Sequence, residues 1–96
     1  MAAIHLLGGI DSGHGCYPPR PNLQASPNVN VEGIPVHRQG DLWAPHQCGT
    51  DVHASVLAQG SSTVFVNGKG CGRIGDPVAC GPVTIDGAVA VFAGGH

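Results

Sequence analysis

The stretch "ASPNVNVEGIPVHRQGD" (25–41) lies without gaps on "GSSTVFVNGKGCGRIGD" (60–76). The two agree at Ser26/Ser61, Val29/Val64, Val31/Val66, Gly33/Gly68, Arg38/Arg73, Gly40/Gly75 and Asp41/Asp76. A partial third copy, "GAVAVFAGG" (87–95), matches the front half of the unit, and "GGID" (8–11) resembles its back half. An internal repeat decides the kind of fold before any local reading, because each unit must bury its apolar face against its neighbours. The pattern predicts a pseudo-threefold domain with repeats at about 25–41, 60–76, and 87–95 completed by 8–11, so that the two ends of the chain supply one copy between them.

Each copy carries the same local logic. Val29 and Val31, like Val64 and Val66, alternate with other residues at the period of a strand with one buried face. Glu32-Gly33, Asn67-Gly68 and Gly94-Gly95 follow, and glycine there allows the positive φ of a tight hairpin turn. A second short strand then runs to Gly-Asp. No window of a dozen residues holds a 3.6-residue apolar period free of Gly or Pro, so the expected class is all-β.

A chain of 96 residues makes one small domain, and with aromatic content of 4% it has few large side chains for a core. Domains of this size usually need a staple: a disulfide, a metal or a partner. Four cysteines and six histidines offer the first two. The opening "MAAIHLLGGIDSG" lacks the basic start and apolar run of a secretory leader, and synthesis in the cytoplasm favours free or metal-bound thiols over disulfides. A net charge of −2 with four Lys or Arg gives no basic stripe for nucleic acid.

The segments between copies are long, irregular and rich in Pro and Gly: "SGHGCYPPRPNLQ", and "LWAPHQCGTDVHASVLAQ". Loops of that length in a tiny domain are usually functional or disordered. Asp11, Asp41 and Asp76 are each followed within a few residues by a soft or borderline donor, namely His14, His46 and Cys80. Three such loops meeting on a threefold axis would supply most of a zinc tetrahedron, and His53 could complete it. The donors stand singly rather than in C-x-x-C pairs, so spacing alone leaves ordinary loop residues as an equal reading. His5 and His96, near the ends, are expected to be solvated. His37 reads as a polar hairpin residue, and Cys71 as a small packed one. Asp41 and Asp76 read as caps of their own turns, and Arg38 and Arg73 either pair with those aspartates across the repeat or stand solvated, two readings of nearly equal weight.

The two full repeats, the "GHG" loop and the "GDPVAC" segment together resemble the PAAR-repeat family, the spike-tip proteins of type VI secretion systems and contractile phage tails. The resemblance runs from about Gly8 to Gly95. The eponymous tetrapeptide reads "PVHR" in one copy and "GCGR" in the other, so only its arginine is kept. The resemblance implies a small cone of three β-hairpin units with a metal near its apex. The metal, zinc or else iron, would be held by His14, His46, His53 and Cys80, and Cys16 and Cys48 would stand beside that set. It further implies a flat base that caps a trimeric β-helical spike, one chain per trimer. The target membrane would be met only on piercing, and effector proteins would be further partners. Such a protein would be made in the cytoplasm and delivered outside the cell at the spike tip. The sequence ends soon after the third strand pattern, so no effector extension is expected.

The rival reading is a small zinc-dependent hydrolase or deaminase-like enzyme. It needs an open metal position and a carboxylate acid/base. Glu32, the sole glutamate, sits in a hairpin, and the deaminase signature is absent. No catalysis is expected. The hairpins cannot bury all of Val29, Val31, Val64, Val66, Phe65, Val91 and Phe92, and the surplus should form an interaction surface.

Overall fold

The structure, a computed structural model, describes residues 2–94 and every side chain among them except those of His46 and Asp51. Its strands are β1 (Ala2–Ala3), β2 (Asn30–Val31), β3 (Ile34–Pro35), β4 (His46–Cys48), β5 (Asp51–His53), β6 (Phe65–Val66), β7 (Lys69–Gly70) and β8 (Phe92–Ala93). All pair antiparallel in twos, and there is no helix among the described residues. The fold is all-β, as the period-2 valines require.

Strand β2 pairs with β3, and β6 with β7. In each hairpin both turn residues take positive φ, Glu32 and Gly33 at 55° and 79°, Asn67 and Gly68 at 54° and 78°. That turn matches the right-handed twist of its strands, and its second position suits glycine. The third pair joins the two ends of the chain: β8 lies against β1, with Phe92 opposite Ala3 and Ala93 opposite Ala2. Gly95 and His96 lie outside the described residues.

The registers define the threefold relation. Phe65 faces Gly70, Asn30 faces Pro35 and Phe92 faces Ala3, so the residues two further along, Gly72, His37 and His5, are equivalents. Their backbones form a closed ring, in which His5 N–H donates to Gly72 O at 2.8 Å, Gly72 to His37 O at 2.9 Å and His37 to His5 O at 3.1 Å. The bridges Ile4–Arg73, Leu6–Val36 and Arg38–Cys71 repeat the same cyclic order. The molecule spans 38 × 23 × 23 Å, with the equal cross-sections of a body built around an axis. Gly8, Gly40 and Gly75 match in this frame, with φ of 82°, 87° and 89°. Gly9 therefore stands where the other copies have Asp41 and Asp76, and Asp11 lies two residues later, bridged to Thr84.

Equivalent residues fill the interior in layers. Ile4, Val36 and Cys71 form one, and Val66, Ala93 and the half-buried Val31 another. Cys71 is thus the small apolar member of a triplet, and burial pushes its thiol up to about 11. Next along the axis come the rings of His5 and His37, then Trp43 with Leu57 and Val78. Both histidines are fully buried, which corrects the expectation of solvated or surface positions. His5 Nδ1 donates to Asp86 O at 2.8 Å and His37 Nδ1 to Gln24 O at 2.7 Å, so each ring is held by a backbone carbonyl.

Buried ion pairs tie the copies together. Arg38 binds Asp41 through Nε and Nη2, each at 2.8 Å, and Arg73 binds Asp76 through the same two atoms at 3.1 and 2.8 Å. Both aspartates also accept the backbone N–H of their own arginine, as turn caps should. Arg38 then reaches Asn67 Oδ1, in the turn of the next copy, and Arg73 reaches Gly94 O. Phe65 and Phe92 remain 60% and 52% exposed on the hairpins, with Val29, Val64 and Ile34 also exposed.

Candidate metal centre

Three irregular segments build the site beyond Trp43. In the first, His14 and Tyr17 exchange backbone hydrogen bonds of 3.1 and 2.8 Å across a tight turn whose Gly15 takes φ of 55°. The second is the hairpin β4–β5. The third is the turn after Val78, where Gly81 N–H closes onto Val78 O at 2.9 Å and leaves Cys80 on the way round.

These segments bring His14, His53 and Cys80 together, with one donor atom from each within 4.8 Å of the others. His14 Nε2 and His53 Nε2 are 3.2 Å apart. Two nitrogens on a zinc at the usual bond length of about 2.0–2.1 Å, spread at the tetrahedral angle, stand about 3.3 Å apart. The spacing and the borderline-soft donors therefore suit a metal ion. Position 46 lies directly opposite His53 in the β4–β5 register, but the His46 side chain is outside the described residues. His37, the remaining described histidine besides His5, lies in the core and takes no part.

Two neighbours of the cluster escaped the sequence reading. Tyr17 stacks on His14 with centroids 4.8 Å apart and packs on His53 at 4.3 Å, filling the space beside both rings. Arg20, which sequence reading counted only as a charge, is buried and donates from Nη2 to Cys80 Sγ at 3.0 Å. The available signal was Asp11, which has no arginine three residues before it as Asp41 and Asp76 do.

Cys16 and Cys48 form a disulfide, with Cα atoms 5.5 Å apart, inside the range a disulfide spans. This corrects the expectation of free thiols: the compartment argument took no account of the two turns meeting tip to tip. The bond joins the His14 turn to β4. Cys71 and Cys80 are the free cysteines among the described residues.

The PAAR motif matches residues 12–94. The chain belongs to the PAAR-motif family. Membership covers all three ligand-bearing segments and both complete hairpin repeats, and it implies a spike-tip function in contractile injection systems. PAAR-motif proteins are structural rather than enzymatic. No curated protein matches the chain.

Proposed function

We propose that this PAAR-motif protein is a metal-stiffened tip that caps a trimeric β-helical spike and sharpens it for piercing a target envelope. The observation that carries the reading is the backbone ring of His5, Gly72 and His37. One chain with threefold pseudo-symmetry can sit on the end of a true trimer and present one hairpin to each subunit. The exposed Phe65, Phe92, Val64 and Ile34 supply apolar contact, and short hairpin strands can extend a β-helix by backbone pairing.

At the opposite pole, zinc is the metal the donor set suits best, held by His14, His53 and Cys80 with His46 as the fourth ligand. Four protein ligands leave no position for a reacting water, which favours stiffening over catalysis. Glu32, the one candidate acid/base, accepts the backbone N–H groups of Val89 and Ala90 at 3.0 and 2.9 Å instead. A tip of this kind works outside the cell that makes it, a setting in which the Cys16–Cys48 disulfide persists.

The test mixes the chain with its cognate spike trimer and reads mass by light scattering. One chain per trimer supports the reading, and binding should be lost in Phe65→Asp and Phe92→Asp but kept in Gly15→Ser. Three chains per trimer, or binding that survives both aspartates, overturns it.

A further inference from the structure

The buried pair Arg20–Asp11 is the third buried Arg–Asp pair among the described residues and differs from the other two in what it touches. Arg38 and Arg73 reach the hairpin turns, whereas Arg20 reaches toward the metal cluster. Its side chain is 3% exposed and that of Asp11 0%. Arg20 Nε donates to Asp11 Oδ2 at 3.0 Å, Nη1 to Ala44 O at 2.8 Å and to His53 O at 3.5 Å, and Nη2 to Cys80 Sγ at 3.0 Å. On its other side, Asp11 Oδ1 accepts Gly13 N–H at 2.9 Å, the residue before His14. One ion pair therefore touches the His14 turn, the chain entering β4 two residues before His46, the backbone of His53, and the sulfur of Cys80.

We propose that Arg20, paired with Asp11, is the positioning residue of the metal centre, setting the spacing of all three ligand-bearing segments and donating a hydrogen bond to the Cys80 sulfur. The proposal rests on the metal-site reading given above. A planar guanidinium suits the task because its fixed fork serves several acceptors at once, which an ammonium on a flexible stem cannot do in the same geometry. Asp11 neutralises the guanidinium, so the tie sets little net charge against a divalent ion. Partners of ligand atoms typically change metal affinity tenfold to a hundredfold when removed. The N–H on sulfur has a second effect, opposite in sign and outweighed by the loss of positioning: it draws electron density from the thiolate, and its loss makes the sulfur a stronger donor to the metal.

Cobalt(II) tests both effects, because its thiolate charge-transfer and tetrahedral ligand-field bands report the sulfur and the geometry directly. The full chain, freed of metal, is titrated with Co(II) as wild type, Arg20→Met, Arg20→Lys and Arg73→Met. The last breaks another buried pair, one that faces the hairpins, and serves as the control for lost stability. Expected for Arg20→Met are affinity weakened at least tenfold and a charge-transfer band moved to longer wavelength. Arg20→Lys should restore affinity only in part, and Arg73→Met should lower thermal stability while leaving both readouts in place. If Arg20→Met fails to fold, Arg20→Lys is judged by the same two readouts. Unchanged readouts in the Arg20 variants, or equal changes in Arg73→Met, overturn the proposal. A wild-type chain that binds no cobalt overturns the metal-site reading and this proposal with it, whereas a wild type that binds beside insensitive Arg20 variants overturns the proposal alone.

Discussion

His37 meets His5 edge-on in the core, ring centroids 5.3 Å apart and planes 84° apart, at the centre of the threefold backbone ring. His37 Nδ1 donates to Gln24 O, and Nε2 has no hydrogen-bond partner among the described residues. Protonation would leave a charge at Nε2 without an acceptor. Burial accordingly lowers the His37 pKa to about 4, against the raising effect of the Gln24 carbonyl, with His5 and Arg38 lowering it further and Asp41 opposing. Burial also lowers that of His5.

Acid sensitivity follows from that cluster. The unfolded chain takes up protons at His37 from pH 6.5 downward, and the folded chain does so only near pH 4, so stability is lost as pH falls through that window. The loss from His37 alone is about 3 kcal/mol. Urea unfolding of metal-free protein at pH 7 and pH 4.5 should show it. His37→Gln, which keeps a donor for Gln24 O, should flatten the dependence, and an unchanged slope in that variant would show that the loss arises elsewhere.

Gly72 completes the same ring, and its position explains why the third equivalent is neither histidine nor alanine. A Cβ there would lie 2.8 Å from His37 O and 3.1 Å from Leu57 Cδ2. The His37 carbonyl, which accepts from Gly72 N–H, cannot retreat without breaking the ring. Gly72→Ala should therefore cost about 2–3 kcal/mol, as overpacking in a dense core does, and be seen as a lower urea midpoint at unchanged m-value.

Much of this arrangement was legible in the sequence, and the rest was hidden for identifiable reasons. Val31, Val66 and Asn67-Gly68 report directly on strand and turn through local backbone geometry, whereas Val29 and Val64, expected on the buried face, stand just before β2 and β6 and are exposed. His5 looked solvated because nothing in its neighbours shows that β1 closes the third copy with β8 from the far end of the chain. The "GGID" letters suggested an equivalence of Asp11 with Asp41 that the register assigns to Gly9, since identity over four residues does not define where a strand begins. Arg20 was invisible as a site residue because its partners come from four separate segments. His14 and Cys80 stood out by residue type, but their proximity depends on loops with no periodicity to read.

The Cys16–Cys48 bond makes a prediction that thiol chemistry decides. Denatured without reductant, the protein should present two reactive thiols, Cys71 and Cys80, and all four cysteines only after reduction. The bond closes a loop over a separation of 32 residues, for which chain entropy suggests about 4 kcal/mol of stabilisation. Reduction, or Cys48→Ser, should lower the melting temperature of metal-free protein. Four thiols without reductant would refute the pairing.

Metal binding and stability should separate cleanly across the histidines and cysteines, and the core positions make that separation informative. Elemental analysis of the purified chain is expected to give one zinc per chain, lost in His14→Ala, His46→Ala, His53→Ala and Cys80→Ser. Cys71→Ala and His37→Gln should keep the metal although both alter the core, because neither side chain reaches the cluster. Melting temperature cannot serve as the readout of ligation here, since His37 and the Cys16–Cys48 bond affect stability without touching a metal. Chelation should remove an apparent contribution on the order of 10 kcal/mol at neutral pH if the site is structural, and a chain that melts identically with and without chelator would show that the tip is not held by metal. Full zinc content in Cys80→Ser, or its loss in Cys71→Ala, would exchange the two free cysteines in the ligand assignment and place the ion among the hairpins instead of beyond Trp43.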